Sequence, residues 1–172
     1  MIKDGHEIKW KHVEACFQRD QENRYINATR LTLDHMKLDS RKTMNNKLAN
    51  DIFSNRIIRD IETFEKESAI GTLWFLRWGN CFKNIMRSDE PITSPDDQRL
   101  SRLEVLMNDM QDWKNENLKH NEVLTDETIE DSILCCQGFS SMCKELVNFQ
   151  ADIEIVPLYC TQDIVENYFS LQ

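Results

Sequence analysis

Apolar residues recur at helical intervals along most of the chain. Trp10, Val13 and Phe17 make a modest stripe within Ile8 to Arg19, a polar stretch over 23–27 ends it, and Leu31, Leu33, Met36 and Leu38 form a second patch that closes at Asp39-Ser40. Ser40 reads as the N-cap of a long helix that carries Met44, Leu48, Ile52, Ile57, Ile58, Ile61 and Phe64 and runs to about Glu67. Residues 72–86 hold Leu73, Trp74, Phe75, Leu76, Trp78, Phe82, Ile85 and Met86, which predicts a central helix packed on several sides. The stretch 87–97, with Pro91, Pro95 and a run of acids, is the clearest loop. Asp96 or Asp97 then opens a helix through Leu100, Leu103, Leu106, Met107, Met110 and Trp113, whose sharp amphipathicity predicts a surface position. Thr125 and the acids at 127–130 open another, through Ile129, Ile133, Leu134, Phe139, Met142, Leu146, Val147 and Phe149.

Only Ile153 to Tyr159 alternates like a strand, and Thr161 after it can cap a closing helix. The fold class that follows is mostly α: five or six helices, with one short C-terminal strand leading into a final helix. A lone strand cannot satisfy its own backbone hydrogen bonds. Its sheet is expected outside these residues, which makes the chain a piece of something larger. Asp163 and Glu166, three apart, share a face of the closing helix. Acids in a first turn commonly just cap and solvate the positive end of the helix dipole. Carboxylates on a rigid strand-helix junction are also what two-metal phosphoryl transfer needs.

Composition narrows the picture. At 172 residues, 40% hydrophobic, with 4 Gly and 3 Pro, the chain has the makings of one helix-rich core. It has no apolar run of about 18 residues to span a bilayer, and Met1 to Glu7 lacks the apolar centre of a signal peptide. A soluble, intracellular protein is expected. The 6 cysteines form no Cys-x-x-Cys pair and have no histidine at zinc-ligand spacing, so buried thiols are expected rather than a metal cluster. His6, His12, His35 and His120 stand apart from one another and from any nucleophile motif, which leaves a hydrolytic triad without support. Residues 1–60 carry 12 Lys and Arg against 9 Asp and Glu; residues 61–172 carry 9 against 21. A net charge of −9 without a basic stripe argues against DNA binding by this chain alone.

Several segments, in this order, resemble the P-element-type transposases. Asp4-Gly5-His6-Glu7-Ile8-Lys9-Trp10-Lys11-His12-Val13, with Asp20-Gln21 behind it, is similar to that family's entry into its insertion domain. Arg30-Leu31-Thr32, Lys47-Leu48-Ala49 and Ile52-Phe53-Ser54 resemble its nucleotide-binding helix, and Leu124-Thr125-Asp126-Glu127-Thr128 the start of the helix leading back out. Gln162-Asp163, Glu166 and Phe169 resemble the return into the catalytic domain. The resemblance implies a ribonuclease H-like catalytic domain interrupted by a helical GTP-binding insertion: residues 1–152 as the insertion, 153–172 as the returning strand and helix of an incomplete catalytic domain.

The resemblance also implies roles. Glu166 matches the third catalytic, metal-binding carboxylate, Asp163 the acid that reads guanine, Ser54 a nucleotide-contacting serine, and Arg30 a position usually held by Lys. GTP and Mg2+ are the implied cofactors, with DNA a partner only in a full-length context and the nucleus the implied location. The chain also departs from the pattern. Lys83-Asn84-Ile85-Met86-Arg87 stands where the family has Phe-Asp-x-x-Asn, and Asn45-Asn46 where it has Lys and an apolar residue. Losing the stacking ring removes about 1–3 kcal/mol, so weak or vestigial GTP binding is expected. The leading expectation is a truncated or decayed transposase-derived protein without autonomous strand transfer. The alternatives are a segment of a longer active GTP-dependent transposase, and a helical interaction module without ligand that uses the helix at 97–118 and the aromatics Trp74, Phe75, Trp78 and Phe82.

Overall fold

In the computed structural model the chain opens on a hairpin. Ile2–Lys3 (β1) pairs antiparallel with His6–Glu7 (β2), Ile2 opposite Glu7 and Lys3 opposite His6. Asp4 and Gly5 between them have φ of 50° and 76°, the left-handed pair that a two-residue turn needs to match strand twist. The structure describes residues 1–22, 29–37, 46–116, 123–150 and 152–161. Within them seven α-helices follow: α1 (Lys11–Glu22), α2 (Leu33–Met36), α3 (Asn46–Ile52), α4 (Asn55–Phe64), α5 (Ile70–Met86), α6 (Gln98–Asn115) and α7 (Asp126–Phe149). The chain is mostly α, as its periodicity requires.

The described residues form two compact units, the first from Met1–Cys81 with Val123, the second from the remainder. In the first, Val13 and Cys16 of α1, Leu31, Ile57, Ile58 and Ile61 of α4, Ala69, and Leu73 and Leu76 of α5 make one buried cluster, with Phe17, Met36, Ile52 and Phe53 packed against it. Each Val, Leu or Ile side chain among them stabilises the fold by about 1.5–3 kcal/mol on burial. Gly71 lets the hairpin sit on the start of α5: a Cβ there would lie 2.6 Å from the His6 carbonyl oxygen. Gly79 likewise leaves room for the Phe53 ring.

The long helix expected from Ser40 to Glu67 is instead broken. Ser40 lies outside the described residues, and α3 and α4 are separated at Phe53-Ser54, where Ser54 turns extended with φ −121° and ψ 148°. The break lets Ile52 and Phe53 reach the same cluster as Ile57, Ile58 and Ile61.

In the second unit α6 and α7 pack antiparallel, as the ion pairs Lys114–Glu130 and Lys144–Glu104 at either end of the pair show. Asp97 caps α6 by accepting the Arg99 N–H at 2.8 Å, and the Thr125 hydroxyl caps α7 by accepting the Thr128 N–H at 3.3 Å. Leu100, Leu103, Leu106, Met110 and Trp113 of α6 are buried, as are Ile129, Cys136, Phe139, Ser140 and Cys143 of α7. The apolar stripe of α6 is therefore core rather than a surface held for a partner, while Trp74, Phe75, Trp78 and Phe82 are half-buried.

The run 153–159 contributes one bridge rather than a strand. Ile155 exchanges both backbone hydrogen bonds with Ile92, at 2.8 and 3.1 Å. Pro157, which has no N–H, then starts a 3-10 turn, Pro157–Cys160. The partner for this extended residue was in the chain after all, in the loop between Pro91 and Pro95. Arg99 holds that loop, donating to the Ser88 hydroxyl and to the carbonyls of Glu90 and Pro91. The cysteines are also less uniformly buried than expected: Cys16, Cys136 and Cys143 are buried, Cys81 is half-buried, and Cys135 and Cys160 are exposed. Cys135 precedes Cys136 by one residue, about 100° around the helix, which turns it off the face that buries Cys136 and Cys143.

Candidate functional site

The segment carrying Arg30 is held from both sides. Asp20, buried near the end of α1, accepts the Thr29 N–H at 3.1 Å and the Thr29 hydroxyl with the same Oδ2. Leu31 is buried in the cluster. Arg30 between them is exposed and has φ 63°, a left-handed conformation uncommon for a residue with a side chain. Such strain costs about 1–3 kcal/mol and persists where neighbours over-determine it.

Thr32 precedes α2, and its N–H donates to Nδ1 of His35 at 3.0 Å. His35 is only 3% exposed, and its Nε2 lies 3.6 Å from Oδ2 of Asp51 on α3. Two residues past Asp51, Phe53 packs on the cluster, edge to face with Phe75 at a ring separation of 5.7 Å. Ser54 then takes the N-cap position of α4, and its side chain makes no cap hydrogen bond. Among the described residues, two buried side-chain polar atoms have no hydrogen-bond partner, His35 Nε2 and Ser54 Oγ. Both belong to this part of the first unit.

The two described site residues expected from the sequence, Arg30 and Ser54, each adjoin a residue that packs into the first unit's core, Leu31 and Phe53 respectively. Asp163 and Glu166 lie outside the described residues, as does Asn45. Lys83 is half-buried, Asn84 and Arg87 are exposed and Ile85 is buried. The end of α5 consequently offers no ring or carboxylate at those positions. Among the described residues no group of three or more His, Cys, Asp and Glu side chains is placed to hold a metal ion.

Sequence reasoning missed the Asp20–Thr29 tie and the His35–Asp51 pair. Thr32-x-x-His35 has the spacing of a capping box and could have pointed to α2; the Asp51 contact is non-local and had no such signal. A second buried histidine is structural. His12 Nδ1 lies 2.7 Å from the Thr72 hydroxyl, which accepts the Lys9 N–H at 3.0 Å. Its Nε2 lies 4.0 Å from Glu65, which with Asp60 also holds Arg19. Burial lowers the His12 pKa, against the opposing pull of Glu65. Thr72, His12 and Glu65 follow the order of a hydrolytic relay, but Thr72 and His12 are both buried, which closes them to a substrate.

The described donors suit a phosphate. Helix N-termini present unpaired N–H groups and a positive dipole end; the α4 terminus adds an uncommitted Ser54 hydroxyl, and Arg30 supplies a fixed positive charge. Neither the curated proteins nor the solved structures yield a match. A family model described as the TNP-like, GTP-binding insertion domain matches residues 1–99, which include the whole of the hairpin, α1 to α5 and both Arg30 and Ser54. The match covers more than half of the chain, and the protein belongs to the TNP-like GTP-binding insertion domain family.

Proposed function

We propose that this chain binds a guanine nucleotide with its first unit, as the helical insertion of a P-element-type transposase. The observation that carries this reading is the family match over residues 1–99. The phosphates would lie between the Arg30 guanidinium and the N-terminus of α4, where half-buried Ser54 would have to turn its hydroxyl, buried without a partner, out toward them. Magnesium would accompany the phosphates. Glu166 would supply one carboxylate toward the metal pair of a ribonuclease H-like catalytic segment acting on DNA in the nucleus. Because Lys83, Asn84 and Arg87 provide neither a stacking ring nor an acid, the affinity is expected to be weak.

Calorimetric titration of the whole chain with GTP and magnesium, with ATP as the comparison, tests the reading. Heat is expected with GTP and little with ATP. Arg30→Ala should weaken GTP binding by about 1.5–3 kcal/mol, the usual worth of a hydrogen bond to a charged group. No heat and no thermal shift at millimolar GTP would end the proposal.

A further inference from the structure

Granting that reading of the first unit, we infer that His35 and Asp51 are placed as a positioning pair that sets Arg30 against Ser54 for nucleotide binding. His35 Nδ1 accepts the Thr32 N–H, so in the neutral ring the proton sits on Nε2. That N–H is buried and has no hydrogen-bond partner. Folded chains seldom leave a buried donor unsatisfied, and one that persists needs a reason. The Asp51 carboxylate, 3.6 Å away, is just beyond hydrogen-bond reach. Its side chain is 37% exposed, so it is free to approach by the fraction of an ångström that a charge-assisted bond needs.

What closing that gap would do follows from the neighbours of each residue. On the Arg30 side, Asp20 holds Thr29, the core holds Leu31, and Thr32 is bound to the His35 ring itself. A shift of His35 therefore moves with the segment that presents Arg30. On the other side, Asp51 is three residues before Ser54, in the last turn of α3. The pair links the two segments that present the phosphate donors. A phosphate bridging Arg30 and Ser54 draws the segments together and favours the bond; by linkage, the bond favours the phosphate equally. Neither His35 nor Asp51 touches the nucleotide in this arrangement.

Side-chain geometry supplies a clean test. In His35→Asn the amide oxygen replaces Nδ1 as acceptor for Thr32 but the side chain is too short for Asp51, whereas in His35→Gln the terminal NH2 replaces Nε2 and reaches Asp51 but the acceptor for Thr32 is lost. GTP titrations of the whole chain should show binding weakened roughly tenfold in His35→Asn, in His35→Gln and in Asp51→Ala, since each breaks one half of the link. In an Arg30→Ala background, Asp51→Ala should cost no further affinity, because the pair acts through Arg30. Asp51 is a surface substitution, so its variant does not depend on His35 variants folding. If the wild-type chain binds GTP but Asp51→Ala and His35→Asn bind it equally well, the pair has no positioning role and the nucleotide reading stands. Equal losses from Asp51→Ala with and without Arg30 would reduce the pair to general stability and likewise overturn the inference. A wild-type chain that ignores GTP removes both.

Discussion

The two units solve the problem of burial differently. Lys3, His12, Asp20, Thr29, His35 and Thr72 are buried polar or charged residues of the first unit, whereas Ser140 is the one such residue among the described parts of the second. The core of the second is the apolar seam of two long helices, with its ion pairs left at the rim. Buried polar groups cost stability unless they are satisfied. A unit that holds six of them and leaves His35 Nε2 and Ser54 Oγ unpaired is shaped by something besides stability. The second unit has the features of a scaffold.

That contrast can be attacked from either side. The largest expected effect is Trp113→Ala: the side chain is fully buried in the helix pair, and its loss should cost about 3–5 kcal/mol in urea unfolding while leaving GTP affinity unchanged in the folded protein. Asp20→Ala comes next. It leaves the buried Thr29 N–H and hydroxyl without their acceptor, so a loss of about 2–3 kcal/mol is expected, together with weaker GTP binding through Arg30. If both variants lose stability and neither changes nucleotide affinity, the division of labour fails.

A smaller effect should appear with pH. The His12 pKa in the folded chain lies below its ordinary 6.5, chiefly because of burial, so the unfolded chain binds the proton more readily. The stability tied to neutral His12 is whole above about pH 6.5 and is lost as pH falls toward the folded value. Melting curves between pH 7 and 5 should show that decline, and His12→Asn, which keeps a hydrogen-bonding group beside Thr72, should flatten it. The smallest effect belongs to Lys144→Ala. Its bond to Glu104 is half-exposed and screened, and a change within about 0.5 kcal/mol is expected by thermal melting.

Local chemistry was the legible part of this fold. Asp97 and Thr125 announce their helices as N-caps, and the apolar spacing of Leu100 to Trp113 marks the inward face of α6. The hairpin was also within reach, since Asp4-Gly5 is a strong turn signal. Non-local pairings were not. Ile155 finds Ile92 across 62 intervening positions, and Ser54 breaks a pattern that reads as one helix because tertiary packing of Phe53 outweighs periodicity. The same holds for the candidate site. Arg30 and Ser54 came from resemblance to a family, while Asp20, His35 and Asp51, which hold or flank them, became visible only when the chain was folded.

Amide hydrogen exchange of the whole chain with and without GTP and magnesium tests the central claim most directly. Protection should rise at Leu31, Thr32 and the first turn of α4 and stay unchanged along α6 and α7, because a ligand stabilises the part of the structure that binds it. Protection confined to the α6–α7 pair, or none anywhere at millimolar GTP, would contradict a nucleotide site in the first unit.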